Sequence, residues 1–137
     1  MPARAFVDTN VLVYAFDDGA PAKRDRARAL LSAPPDPFVI SAQVIGEFYV
    51  VVTRKLATPL AEEQASAAVA ELLRLPVVPI DGELARAAVS TSRAAQLSYW
   101  DALVIESAAA AGCDRLLTED LADGATIRSV RIENPFP

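Results

Sequence analysis

Four carboxylates in this sequence, Asp8, Glu47, Asp101 and Asp120, sit where their chemistry has to be accounted for. Asp8 follows the apolar run Phe6-Val7 and opens Asp8-Thr9-Asn10, whose structural reading is a helix N-cap. Glu47 falls three residues after Val44 and four before Val51, within an apolar helical stripe. A charge in that stripe is costly unless something satisfies it; the structural alternative is a stripe-edge glutamate with its head in water. Asp101 comes three residues after Ser98, the spacing of a capping box. Asp120 follows the apolar run ending at Leu117, with Glu119 as its immediate competitor, whereas Asp123 before Gly124 reads as a turn residue. If the four acids converge, like charges ~4 Å apart repel by about 1 kcal/mol in water and about 4 kcal/mol at an effective dielectric of about 20. A hard divalent cation relieves that repulsion, and an all-oxygen donor set suits Mg2+ or Mn2+. Cations held in this way serve the cleavage of phosphodiesters by water. Thr9, Asn10 and Thr118 are placed to orient the carboxylates or that water.

Composition narrows the chemistry further. The 137 residues include no histidine and a single cysteine, Cys113. This removes Ser-His-Asp and Cys-His nucleophile systems, histidine acid–base pairs, and zinc held by histidine or by paired thiolates. A net charge of −5 argues against broad, nonspecific binding of polyanions but leaves room for a local site. No apolar run approaches the ~18 residues of a membrane span. The run Val11 to Phe16 is also too short for a signal-peptide core, so with an unpaired cysteine a cytoplasmic location is expected.

The elements that must position these acids alternate along the chain. Apolar runs at 5–7, 38–40, 76–80, 115–117 and 127–132 read as buried strands. Helical stretches fall at about 9–16, 21–32, 42–56, 61–74, 82–95 and 99–111, with Ser41, Asp81 and Ser98 as N-caps and Gly112 as a stop. The Pro-rich stretch 33–37 is a loop too short to divide the chain, so residues 1–137 form one domain. Short apolar strands alternating with helices predict an α/β fold, a parallel sheet covered on both faces. Sheets of this kind place ligands beyond the carboxyl ends of their strands, where Asp8 and Asp120 lie.

Four segments carry a family resemblance: Phe6-Val7-Asp8-Thr9-Asn10-Val11-Leu12, Gln43-Val44-Ile45-Gly46-Glu47-Phe48, Tyr99-Trp100-Asp101-Ala102 and Leu117-Thr118-Glu119-Asp120-Leu121. In this order they resemble the PIN-domain nucleases, and more narrowly the VapC toxins of type II toxin–antitoxin systems. The resemblance implies a three-layer α/β/α sandwich with a central parallel sheet and an Mg2+-dependent endoribonuclease. It casts Asp8, Glu47, Asp101 and Asp120 as the catalytic acids, with Asp8 and Asp101 as direct metal ligands. A homodimer, an RNA substrate and a small cognate antitoxin follow as expected partners. For RNA phosphates the placed cations are Lys23, Arg24 and Arg28 on one helix and Arg54 and Lys55 at the end of another, the alternative being solvated helix faces. The alanine-rich face at 61–73 is either core or a surface for the antitoxin or a second subunit. An RNA-maturation nuclease and a noncatalytic RNA- or protein-binding module on the same fold are the alternatives. A dehalogenase-like phosphatase or a receiver domain requires a distal lysine, and only Lys23 and Lys55 are present.

Overall fold

The computed structural model describes residues 3–137. Six strands, β1 (Ala5–Val7), β2 (Phe38–Ser41), β3 (Val77–Val78), β4 (Arg115–Leu117), β5 (Thr126–Ile127) and β6 (Val130–Glu133), form one sheet in the order β3-β2-β1-β4-β6-β5. Every neighbouring pair is parallel except the edge hairpin β5-β6. Six helices cover it: α1 (Thr9–Tyr14), α2 (Pro21–Ser32), α3 (Ala42–Arg54), α4 (Glu62–Leu72), α5 (Gly82–Ala95) and α6 (Tyr99–Ala110). Helices α1 to α4 pack on one another, while α5 pairs with α6 and α6 lies against β2, β4 and β6. The result is the expected α/β/α sandwich. Its central strands are buried on both faces: Phe6, Val7, Val39, Ile40 and Leu116 are at most 2% exposed and Leu117 is 3% exposed, so the runs read as continuously apolar.

The chain fills β1, β2 and β3 outward in one direction, then returns to place β4 on the other side of β1. The order therefore switches between β1 and β4, and a crevice opens at their carboxyl ends. The ladder carries one residue beyond each strand, Asp8 N donating to the Leu117 carbonyl at 3.0 Å and Thr118 N to the Glu133 carbonyl at 3.1 Å. Asp8 and Thr118 are thus fixed side by side by backbone alone.

Helix starts follow the expected caps. Ser41, Asp81 and Ser98 accept from the N–H groups of Val44, Leu84 and Asp101. Gly112 adopts a left-handed φ of 71° and closes α6 in a Schellman motif, with Cys113 N donating to the Ala108 carbonyl. Several boundaries are shorter than predicted: α1 ends at Tyr14, α3 at Arg54, and β3 keeps only two residues between Pro76 and Pro79. One element differs in kind. The single strand expected over 127–132 is a hairpin, turning at Arg128 and Ser129, both left-handed with φ of 53° and 62°. That is the conformation of a two-residue hairpin turn, without the Asn-Gly or Asp-Gly signal that would announce it. Arg128 is held there by an ion pair with Glu106, a glutamate only 4% exposed that also accepts from Thr91 Oγ1 at 2.8 Å.

Candidate active site

At the switch point, three of the four acids are joined by one hydrogen-bond network. Asp8 caps α1, its Oδ1 accepting from Thr9 N at 2.7 Å and its Oδ2 from the Thr118 hydroxyl at 2.9 Å. Thr118 in turn accepts from Asn10 Nδ2 at 3.0 Å and from Asp120 N at 3.1 Å. The same Asn10 amide donates to Asp120 Oδ2 at 3.0 Å. Across the crevice, Thr9 Oγ1 donates to Glu47 Oε2 at 3.0 Å, and Gln43 Nε2 donates to Glu47 Oε1 at 2.9 Å. Thr9, Asn10 and Thr118 therefore each donate a side-chain hydrogen bond to one of these carboxylates, Glu47, Asp120 and Asp8 respectively.

Burial sets the electrostatics. Asp8 is 8% exposed, and its pKa is pushed up from 3.8 to about 6. Desolvation is the main cause; the bonds from Thr9 N and Thr118 oppose it, and the charges of Asp120 and Glu47 add to it. Asp8 thus serves as an N-cap and as the buried centre of an acidic cluster. Glu47 lies half-buried with both oxygens bonded, so it is not a stripe-edge residue with its head in water.

Asp101 stands outside this hydrogen-bond network. It lies in the first turn of α6, and Ser98 Oγ accepts from its backbone N–H at 3.1 Å. The return arm of the capping box is missing: among the described residues no hydrogen bond or ion pair engages the Asp101 carboxylate. Gln43 ties this turn to the cluster, its Nε2 reaching both Glu47 and the Trp100 carbonyl at 3.4 Å. The backbone next to Asp101 is thereby anchored beside Glu47.

Sequence reasoning left Glu119 and Asp120 in competition, and the geometry separates them. Glu119 turns away to accept from the Tyr14 hydroxyl and from Lys23 Nζ at 2.8 Å. Desolvation raises its pKa, but the bonds from Lys23 and Tyr14 outweigh this and leave it below the usual range. Asp120 faces Asn10 and Asp8. Asp123 is the turn residue, accepting from Asn134 N beside Gly124 at φ 86°. Gln43 and Tyr14 have no role in the sequence-based reading. Gln43 sits one helical turn before Glu47, a spacing that was available to be read. The Tyr14-Lys23-Glu119 cluster spans 105 residues of sequence and carries no local signal.

The expected phosphate-binding cations are mostly committed within the chain. Lys23 pairs with Glu119, Arg24 with Asp18 and Asp25, and Arg28 Nε donates to the Ala15 carbonyl at 2.7 Å. Arg54 is exposed at the end of α3.

The donor set fits a hard cation. Every candidate ligand is an oxygen, and Gln43 Oε1, buried beside Glu47, has no protein hydrogen-bond partner among the described residues. Among the described residues no three carboxylates stand close enough to enclose an ion by themselves.

The α/β/α sandwich thus carries an acidic, hydrogen-bonded cluster at the switch point of its sheet. The family follows from the sequence: residues 5–122 match the PIN domain, and the chain belongs to the PIN-domain family. Among solved structures, it is similar to a toxin–antitoxin complex from Klebsiella pneumoniae, with a TM-score of 0.72 and 23% identity over 96% of this chain and 98% of that one. It is also similar to VapC20 of Mycobacterium tuberculosis, a sarcin-ricin loop cleaving toxin, with a TM-score of 0.64 and 19% identity over 82% and 86%. A third is VapBC2 from Rickettsia felis bound to a promoter DNA fragment, at 0.64 and 19% over 96% and 98%. Among curated proteins none matches. No helix among the described residues is long and apolar enough to cross a membrane.

Proposed function

We propose that this protein is an Mg2+-dependent endoribonuclease, the toxin of a type II toxin–antitoxin pair, acting through Asp8, Glu47, Asp101 and Asp120. The observation that carries the reading is the buried Asp8, bonded on both oxygens and crowded by Asp120 and Glu47. Such a cluster is unfavourable as it stands and favourable around a cation. Asp8 and Asp101 would hold Mg2+, with Mn2+ as a substitute. When bound, the ion acidifies the attacking water and offsets charge building on the phosphate. Thr118 keeps Asp8 Oδ2 in place through its hydroxyl, and Asn10 restrains Asp120 from the opposite side. Thr9 and Gln43 leave the Glu47 carboxylate one orientation, from which it accepts the proton that water loses. Arg24, Arg28 and Arg54 supply phosphate contacts once RNA competes for them.

The antitoxin assignment draws support from an apolar groove of ≈ 610 Å³ between α1, α2, α3 and α4, lined in part by Leu12, Phe16, Phe48, Ala68 and Leu72. Its dimensions and lining suit one face of an amphipathic helix. Of the alanine-rich segment, Ala65 is core, while Ala67 and Ala68 line this groove. A homodimer belongs to the same reading and is checked by light scattering. The test of activity is incubation of the purified protein with total RNA in Mg2+ or in EDTA. Cleavage in Mg2+ that stops in EDTA is expected; equal cleavage in both overturns the metal mechanism.

A further inference from the structure

Trp100 is the most exposed of the large apolar side chains among the described residues, at 61%. It is the single tryptophan of the chain, and it directly precedes Asp101 in the first turn of α6. Its backbone carbonyl accepts at 3.4 Å from the Gln43 amide that also holds Glu47, so the backbone that carries the indole lies next to Gln43. Tyr99 braces it edge-to-face, with ring centroids 5.0 Å apart and planes at 79°. That contact limits the ring's freedom while most of its surface stays in water. Leaving the largest apolar side chain in water forgoes burial, and an exposed π-face one residue from Asp101 can stack on a planar base.

Charge supplies the second argument. The chain carries −5, and Lys23, Arg24 and Arg28 are engaged with Glu119, Asp18, Asp25 and the Ala15 carbonyl, which leaves Arg54 and Lys55 exposed at the end of α3. With so few uncommitted cations, contacts to the bases add usefully to those that Arg54 and its neighbours make to the phosphates. Aromatic stacking serves any unpaired base, because every base has a π-face.

We propose that Trp100 is a stacking platform for an unpaired nucleobase of the RNA strand next to the scissile phosphate. This rests on the ribonuclease reading above and adds to it a named side chain that contacts a base beside the cut.

The single tryptophan makes the test direct. Its fluorescence is titrated with a short oligoadenylate, and with an abasic ribose-phosphate strand of equal length and charge, in Ca2+. In parallel, cleavage of a single-stranded RNA in Mg2+ is compared for the wild type, Trp100→Ala and Trp100→Phe. The oligoadenylate should quench the emission and the abasic strand should not. Trp100→Ala should raise KM roughly 5- to 150-fold with kcat largely kept, and Trp100→Phe should recover most of the loss. Equal quenching by both strands, or an unchanged KM in Trp100→Ala, overturns the stacking role while active wild type leaves the nuclease reading standing. A Trp100→Ala variant that turns a dimer into a monomer in size exclusion makes the residue a subunit contact, which also overturns it. A wild type that neither cleaves RNA nor is quenched fails the ribonuclease reading, and the platform falls with it.

Discussion

Asp8→Asn is expected to stabilise the metal-free protein at neutral pH although it removes an active-site residue. Asp8 is nearly fully buried, and its pKa rises from 3.8 to about 6 on folding. At ~1.36 kcal/mol per pKa unit, this amounts to a penalty of about 3 kcal/mol for carrying the charge. Between these two values the folded chain keeps a proton that the unfolded chain has released. Raising the pH through that window therefore destabilises the fold; the penalty is absent below the unfolded value and complete above the folded one. Asparagine does not titrate. It also cannot accept from both Thr9 N and Thr118, a loss that does not vary with pH. The change in stability difference with pH consequently isolates the charge. Urea unfolding in EDTA, followed by far-UV circular dichroism, should show the variant gaining about 2.5 kcal/mol on the wild type from pH ~4 to pH ~8, the first part of the penalty being already present at pH ~4. The corresponding shift in melting temperature is about 10 °C for a domain of this size. Saturating Mg2+ should then favour the wild type, by about 2.7 kcal/mol at a hundredfold excess over Kd. A stability difference that stays flat with pH refutes the electrostatic account of the cluster.

Three further outcomes follow from individual contacts. Thr118→Val removes the donor to Asp8 Oδ2 and the acceptor for Asn10 and Asp120, so cleavage should fall roughly 10- to 100-fold with the circular dichroism unchanged, and Thr118→Ser should restore it. Thr91→Val takes a hydrogen bond from the buried Glu106 and should cost about 1.5–3 kcal/mol in urea unfolding, with RNA cleavage retained under conditions where the variant is folded. Cys113 is 5% exposed, with its thiol pushed up to about 11 by burial, so iodoacetamide near pH 8 should leave it intact until the protein is unfolded.

The layered fold was legible because its central strands are buried on both faces and read as short apolar runs between capped helices. Asp8, Asp101 and Asp120 were legible for a related reason: parallel topology puts the residues after β1 and β4, and the first turn of the helix leading into β4, at one edge. Glu47 showed itself as a charge in an apolar stripe, the kind of local conflict that marks a site. The β5-β6 turn did not show itself, because its left-handed residues are Arg128 and Ser129 and what holds Arg128 is a buried glutamate 22 residues away. The division of labour between Glu119 and Asp120 was hidden for the same reason. Tyr14 and Lys23 settle it from α1 and α2, and their pairing depends on tertiary structure that no local pattern encodes.

The central claim is that the acidic cluster directs water onto an RNA phosphodiester. A single-turnover cleavage in Mg2+ and oxygen-18-labelled water, with Asp8→Asn as the control, tests it most directly. The account predicts product phosphates that carry one solvent-derived oxygen, no 2′,3′-cyclic phosphate, and no product from the variant. Cyclic phosphate ends without label, or normal cleavage by Asp8→Asn, would contradict it.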